Sequence, residues 1–285
     1  MNEADQNGQF DAYSATVYAN AEALFDDLFC LMESAGLDPK AQDGLKARFY
    51  ATNRQLIDEK GHQLLALKSG GSNPHPHVEC TGRASPVLAE YLREHYEHKP
   101  TRIDHAMDIR DFGLFDKIAQ FARGFARSNR LKLSFAGDWA NQYEGRTVYI
   151  GSRTSQVFVR VYEKGIKTAK ENGLPLTADL RDLVRIELEF KPQTKAAKAL
   201  APTITGPEMW GSTDWTRQFA DRVLGMGAKR VSIRDQRVSN DERSRRLMAQ
   251  QYARILRGWF EDCDSDFCEF GHAIGVLAGF PEAQE

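Results

Sequence analysis

No stretch of this 285-residue chain approaches about 18 consecutive apolar positions, so no transmembrane helix is expected. The opening residues, MNEADQNGQF, lack a basic and apolar leader, which argues against a secretory signal. Cysteine is scarce: Cys30, Cys80, Cys263 and Cys268 are too few and too scattered for a disulfide framework. Phosphate-loop spacing is absent, so any helicase work would fall to a separate partner. Nor does an internal repeat or a low-complexity linker divide the chain. Metal motifs are incomplete. Cys263 and Cys268 have no second pair, and His95 and His98 have no third ligand. Asp262, Asp264 and Asp266 resemble the start of a calcium loop, but Phe267 stands where that loop needs glycine. In His75-Pro76-His77 the proline cannot donate to a sheet ladder, so a loop is expected there. These absences leave a cytoplasmic globular protein.

What is present is segregated charge. Residues 1–44 carry nine acids against one base, and 261–285 carry seven acids and no base. With a formal net charge of -2, the residues between them sum to +13. Within that body, 217–260 holds eleven Lys and Arg against four acids. A basic body between acidic ends is the footprint of a polyanion binder, with nucleic acid the leading partner. Arg230, Arg234, Arg237, Arg243, Arg245 and Arg246 are the residues expected to neutralise DNA phosphates. Trp210 and Trp215, just before them, have the chemistry to stack on a base, although large aromatics of this kind usually belong to the core.

Apolar spacing predicts an α+β fold. A mainly antiparallel sheet lies in 62–191 with helices packed on one face, flanked by an N-terminal helix and a C-terminal helical basic region. The expected divisions are a disordered acidic tail (1–15), a helical segment (16–60), a catalytic sheet domain (61–212), a basic DNA-binding region (213–260) and an acidic tail (261–285). Residues 16–36 read as an amphipathic helix ended by Gly36, and 39–52 as a second helical piece. Strands are expected at 62–68, 77–81, 101–109, 131–137, 146–151, 156–163 and 183–190, with helices at 85–96, 115–129, 213–224 and 247–260.

Three of these strands bring polar groups to one face by period-2 alternation. Asp104, Ala106 and Asp108 fall together, as do Arg185, Glu187 and Glu189, and as do Arg160, Tyr162 and Lys164. Four carboxylates suit Mg²⁺ or Mn²⁺, and a tyrosine with neighbouring cations suits attack on a phosphodiester. In that reading Lys164 and Arg160 favour the phenolate. Decoration of a solvent-facing sheet produces the same alternation.

TRIDHAMD, TVYIGSRTS with VFVRVYEKG close behind, and LVRIELEFKP, in this order and spacing, resemble the replication-initiation-factor family of rolling-circle initiators and related relaxases of phages, plasmids and conjugative elements. The likeness spans roughly 62–260 and is most specific over 149–165. It implies a DNA nickase and strand transferase that starts rolling-circle replication through a covalent 5′-phosphotyrosine, with a divalent metal. By this resemblance Tyr162 is the nucleophile, with Tyr149 the competing candidate, and Lys164 and Arg160 assist. Asp104, Asp108, Glu187 and Glu189 form the metal set, and Arg153 and Arg185 join the DNA contacts. The implied partners are origin DNA, as a single strand or hairpin, and a host helicase, with a homodimer as an open arrangement. A conjugative relaxase and a catalytically silent DNA-binding regulator are the alternatives. The chain departs from the family pattern after the tyrosine motif, where Gly165-Ile166-Lys167 replaces a further lysine and acid.

Overall fold

Among the described residues ten strands, most of them drawn from segments that alternate apolar and polar residues, pair into a single antiparallel sheet. The structure is a computed structural model that describes residues 8–45, 47–140, 144–233 and 240–279. The strands are β1 (Gln9–Val17), β2 (Lys40–Asp43), β3 (Thr52–Ile57), β4 (Gln63–Ser69), β5 (His77–Thr81), β6 (His98–Arg110), β7 (Leu133–Gly137), β8 (Arg146–Ile150), β9 (Val157–Tyr162) and β10 (Leu183–Phe190). Their order across the sheet is β2-β3-β4-β5-β1-β6-β10-β9-β8-β7. The fold is α+β, as expected.

Helices α1 (Ala21–Ser34), α2 (Ala84–His95) and α3 (Leu114–Ser128) lay their apolar stripes on one face of this sheet. Leu24, Phe25, Leu28 and Met32 of α1 and Phe115, Ile118, Ala122 and Phe125 of α3 are buried there against Tyr13, Ile103, Val159, Val161, Ile186 and Leu188. The Asn20 side chain starts α1 by accepting from the Glu22 and Ala23 amides at 3.0 and 3.2 Å. Beyond β9 come α4 (Lys164–Asn172) and α5 (Ala178–Arg181), then after β10 α6 (Lys195–Leu200), α7 (Gly206–Trp210) and α8 (Asp214–Phe219), the last running into a π-helical turn, Ala220–Leu224. Trp210 is fully buried and stacks on Phe219 with 6.0 Å between ring centroids, so its place is the core rather than a base-stacking surface.

Several expectations are corrected. Residues 9–15 are part of β1, a central strand held by β5 and β6, although the segment was expected to be disordered. Polar QFDAYSATV still alternates, with Tyr13, Ala15 and Val17 turned to the core, and pairing on both edges overrides its composition. Helix α1 therefore begins at Ala21 instead of 16. The helical piece expected over 39–52 is instead the edge hairpin β2–β3. The described residues up to 233 belong to one compact unit, which includes positions 60 and 212. The second unit contains α9 (Asn240–Gln251), α10 (Ala253–Asp262) and α11 (Phe267–Leu277), helices that run through the acidic segment as far as 277. Asp266 caps α11, accepting from the Cys268 amide at 2.6 Å.

The sheet also repeats its own topology, which no sequence repeat announces. Read from either edge inward, the order is β2-β3-β4-β5-β1 in one half and β7-β8-β9-β10-β6 in the other. In each half a helix, α1 or α3, follows the innermost strand and leads to the outermost one. Antiparallel β1 and β6 join the halves head to tail.

Candidate active site

The register of β6, β10, β9 and β8 decides which polar groups meet. Asp108, Arg185 and Tyr162 stand in one row across three strands, and Ala106, Glu187, Arg160 and Tyr149 in the next. Asp104, Glu189 and Phe158 form a third. All lie on the face away from the helices, as alternation implies, with Val159, Val161, Ile186 and Leu188 pointing into the core.

Tyr162 ends β9, and its hydroxyl donates to Glu187 Oε1 at 2.7 Å. Burial first, and then the adjacent Glu187 carboxylate, push the phenol well above its ordinary pKa. This corrects the expected electrostatics: Arg160 does not activate a phenolate but binds the carboxylate that holds the phenol. Its Nη2 pairs with Glu187 Oε2 and lies 3.5 Å from Asp104 Oδ2. Lys164 is the first residue of α4, half-buried, and burial followed by the charge of Arg185 lowers its pKa.

Each carboxylate has a cation. Arg102 grips Asp104 through Nε and Nη2 at 2.8 and 2.5 Å and reaches Glu189 at 3.1 Å, which Lys191 also meets at 2.6 Å. Arg185 forks onto Asp108 at 2.5 and 2.6 Å and uses Nη1 for Asp11 at 2.7 Å. Asp104 and Glu187 are almost inaccessible, at 1% and 2% exposure. Burial raises the Asp104 pKa against the opposing pull of Arg102. The expected metal set is thus divided. Asp104, Glu187 and Glu189 share Arg102 and Arg160, while Asp108 belongs to Arg185 and Asp11. Among the described residues no three acidic, histidine or cysteine side chains converge as a metal group would require. As arranged, these residues do not fit a resident divalent ion.

Tyr149 shares the face but stacks on Phe158, with 5.7 Å between centroids and 14° between planes, and Arg153 lies 5.0 Å over its ring. Arg153 is exposed. Arg185, buried between two carboxylates, is part of the polar layer and not an open phosphate contact. Arg230 and Arg245 are exposed. Arg246 is exposed as well. Arg234 and Arg237 lie outside the described residues, as does the side chain of Arg243. His98 is a core residue of β6, bonded to the Tyr13 hydroxyl at 2.7 Å. His75 is in a loop, and His77 opens β5.

Sequence reasoning missed Arg102, Asp11, Arg146 and Glu163. Arg102 carried a signal, being two residues before Asp104 on the same alternation. Asp11 carried none, because its segment had no expected structure. Arg146 is buried and forks onto Glu163 at 3.1 and 2.8 Å while meeting Asp116 at 2.7 Å. Glu163 joins β9 to α4, so this pair holds Tyr162 and Lys164 on either side of it. Gly165 follows, where a Cβ would stand 1.5 Å from the Leu180 carbonyl oxygen.

No helix among the described residues is long and apolar enough to cross a membrane. No curated protein matches the sequence. A solved structure of a rolling-circle replication initiator protein from Geobacillus stearothermophilus is similar at 18% sequence identity, covering 78% of this chain and 98% of that one, with a TM-score of 0.49. The model of the replication initiation factor family matches residues 98–251, from β6 through the tyrosine, the acidic strand β10 and on into α9. That span is more than half of the chain and includes the charges around Tyr162 except Asp11: the chain belongs to the replication initiation factor family.

Proposed function

We propose that this protein starts rolling-circle replication by nicking one DNA strand and holding its 5′ end as a phosphotyrosine on Tyr162. The observation that carries the reading is the 2.7 Å hydrogen bond from the Tyr162 hydroxyl to Glu187 inside a shell of guanidinium groups. A phenol with a raised pKa attacks only if its proton has a place to go, and Glu187 is in position to accept it. The Tyr162 oxygen then bonds to phosphorus and the bond to the 3′ oxygen breaks, with Lys164 as the group that protonates that leaving oxygen. Arg160 is a positioning residue that holds Glu187. The reverse reaction, attack by a 3′ hydroxyl on the phosphotyrosine, rejoins strands without an external energy source. Each of these steps uses only this chain's own residues.

The test is a denaturing gel of labelled single-stranded oligonucleotides tiling the replicon that encodes the protein, with and without Mn²⁺. A protein–DNA adduct in wild type that disappears in Tyr162→Phe and persists in Tyr149→Phe is the expected result. Loss only in Tyr149→Phe would move the nucleophile. Tight binding of an oligonucleotide with no adduct under either condition would favour a silent regulator. Adduct formation only with Mn²⁺ would show that the arginine-bridged arrangement gives way to a metal site.

A further inference from the structure

The half of the sheet that lacks the tyrosine has a polar constellation of its own, in the same register. Arg185 pairs with both Asp108 and Tyr162, and His77 pairs in the same way with Thr16 and Lys68. One row along, Glu187 stands between Ala106 and Arg160, and Glu79 between Ser14 and Ala66. The topological counterpart of Tyr162 is therefore Lys68, and the counterpart of Glu187 is Glu79. The contact between them is retained, at 2.6 Å from Lys68 Nζ to Glu79 Oε1. Asp104 and Asp108 correspond to Ala12 and Thr16. The acidic set is reduced to one carboxylate and the nucleophile is replaced by a cation.

Aromatic rings surround this second constellation. Tyr50 stacks on His77 at 6.2 Å and 22°, and Tyr18 meets His75 edge-on at 4.5 Å. Lys99 is exposed, lies 4.8 Å over the Tyr18 ring and pairs with Thr16. Lys99, Thr16, His77 and Lys68 thus form one lateral row over β6, β1, β5 and β4, on the same face as Tyr162. Cations alternating with aromatic rings along a sheet suit a single strand, whose phosphates seek charge and whose bases seek flat apolar surfaces.

We infer that this half of the sheet is a second, non-cleaving site for single-stranded DNA, in which Lys68 and Lys99 hold backbone phosphates and Tyr50 and Tyr18 take bases. The inference rests on the nicking proposal for its ligand, and it deepens that proposal: one continuous face would grip the strand in one half and cut it in the other. Lacking a nucleophile, the Lys68 half forms no covalent bond.

Fluorescence anisotropy on the full-length protein, with labelled oligothymidylate about thirty nucleotides long and a salt titration, tests it. Lys68→Ala with Lys99→Ala should weaken binding about tenfold and reduce the slope of log affinity against log salt by about 1.4, the value for two single-strand phosphates. Tyr50→Leu, which leaves the ion pair intact, should weaken binding about tenfold with little change in slope. Wild-type affinity and slope in these variants, with circular dichroism confirming the fold, would overturn the inference. Failure of the nicking proposal is read separately, as an absent adduct in the gel, and leaves the anisotropy result standing.

Discussion

Across the β9–β10 pair a carboxylate meets a phenol, Glu187 to Tyr162; across the β4–β5 pair a carboxylate in the same register meets an ammonium, Glu79 to Lys68. The strands around them follow one order, and the core beneath is continuous. Backbone pairing therefore places the residues, and a few side chains decide what each half can do. The difference extends to support. Where β8 and β9 end, buried Arg146 and Glu163 form an ion pair, and the matching row of β3 and β4 has Thr52 and Ser69 sharing a hydroxyl hydrogen bond at 2.7 Å. A charged lock closes the half that carries Tyr162, and a neutral contact stands in its place in the other.

The largest expected effect separates the two carboxylates. Glu187→Gln removes the carboxylate that accepts from the Tyr162 hydroxyl and should slow adduct formation by about 10²–10⁴-fold in the gel assay, whereas Glu79→Gln should leave the rate within a few-fold. Equal losses in both would erase the division of labour. Next is stability. Arg146→Ala strands the Glu163 carboxylate in the interior and should cost about 3–5 kcal/mol in urea unfolding, against less than about 1 kcal/mol for Thr52→Ala.

The smallest effect is acid dependence. The hydrogen bond from His77, with help from Lys68, lowers the Glu79 pKa to about 2. Its folded value lies below its unfolded one, so its contribution to stability is present above about pH 4.5 and fades as the pH falls toward about 2. Glu79→Gln should flatten stability over that window by about 1 kcal/mol, a figure kept low because the carboxylate is 39% exposed. A pH profile identical to wild type would show that the ion pair adds nothing.

Much of the site was legible because alternation is a local property. Asp104 and Asp108, Glu187 and Glu189, and Arg160 and Tyr162 fall on one face of their strands by period 2 alone, and the structure puts all six on the same face of the sheet. Strand β1 was not legible, since its nine residues include only a weak apolar alternation and its stability comes from pairing with β5 and β6 on both edges. Its absence from the reading hid Asp11, the second partner of Arg185. Edge strand β2, with every residue exposed, carries no apolar pattern to read.

By itself the sequence determined the α+β class, the strands from β4 onward and the face that carries the charges, because each follows from spacing along the chain. Tertiary structure alone decided which charge meets which. Register across strands made Glu187 the partner of Tyr162 and tied the expected metal ligands to arginines. It also set Lys68 where the other half has its tyrosine. The Tyr162–Glu187 pairing joins residues 25 positions apart and the Arg185–Asp11 pairing residues 174 apart, so no local pattern encodes either, whereas Arg102 and Asp104 stand two apart on one strand. The two long-range pairings exist only once the backbone hydrogen bonds of the sheet have fixed which strand lies beside which.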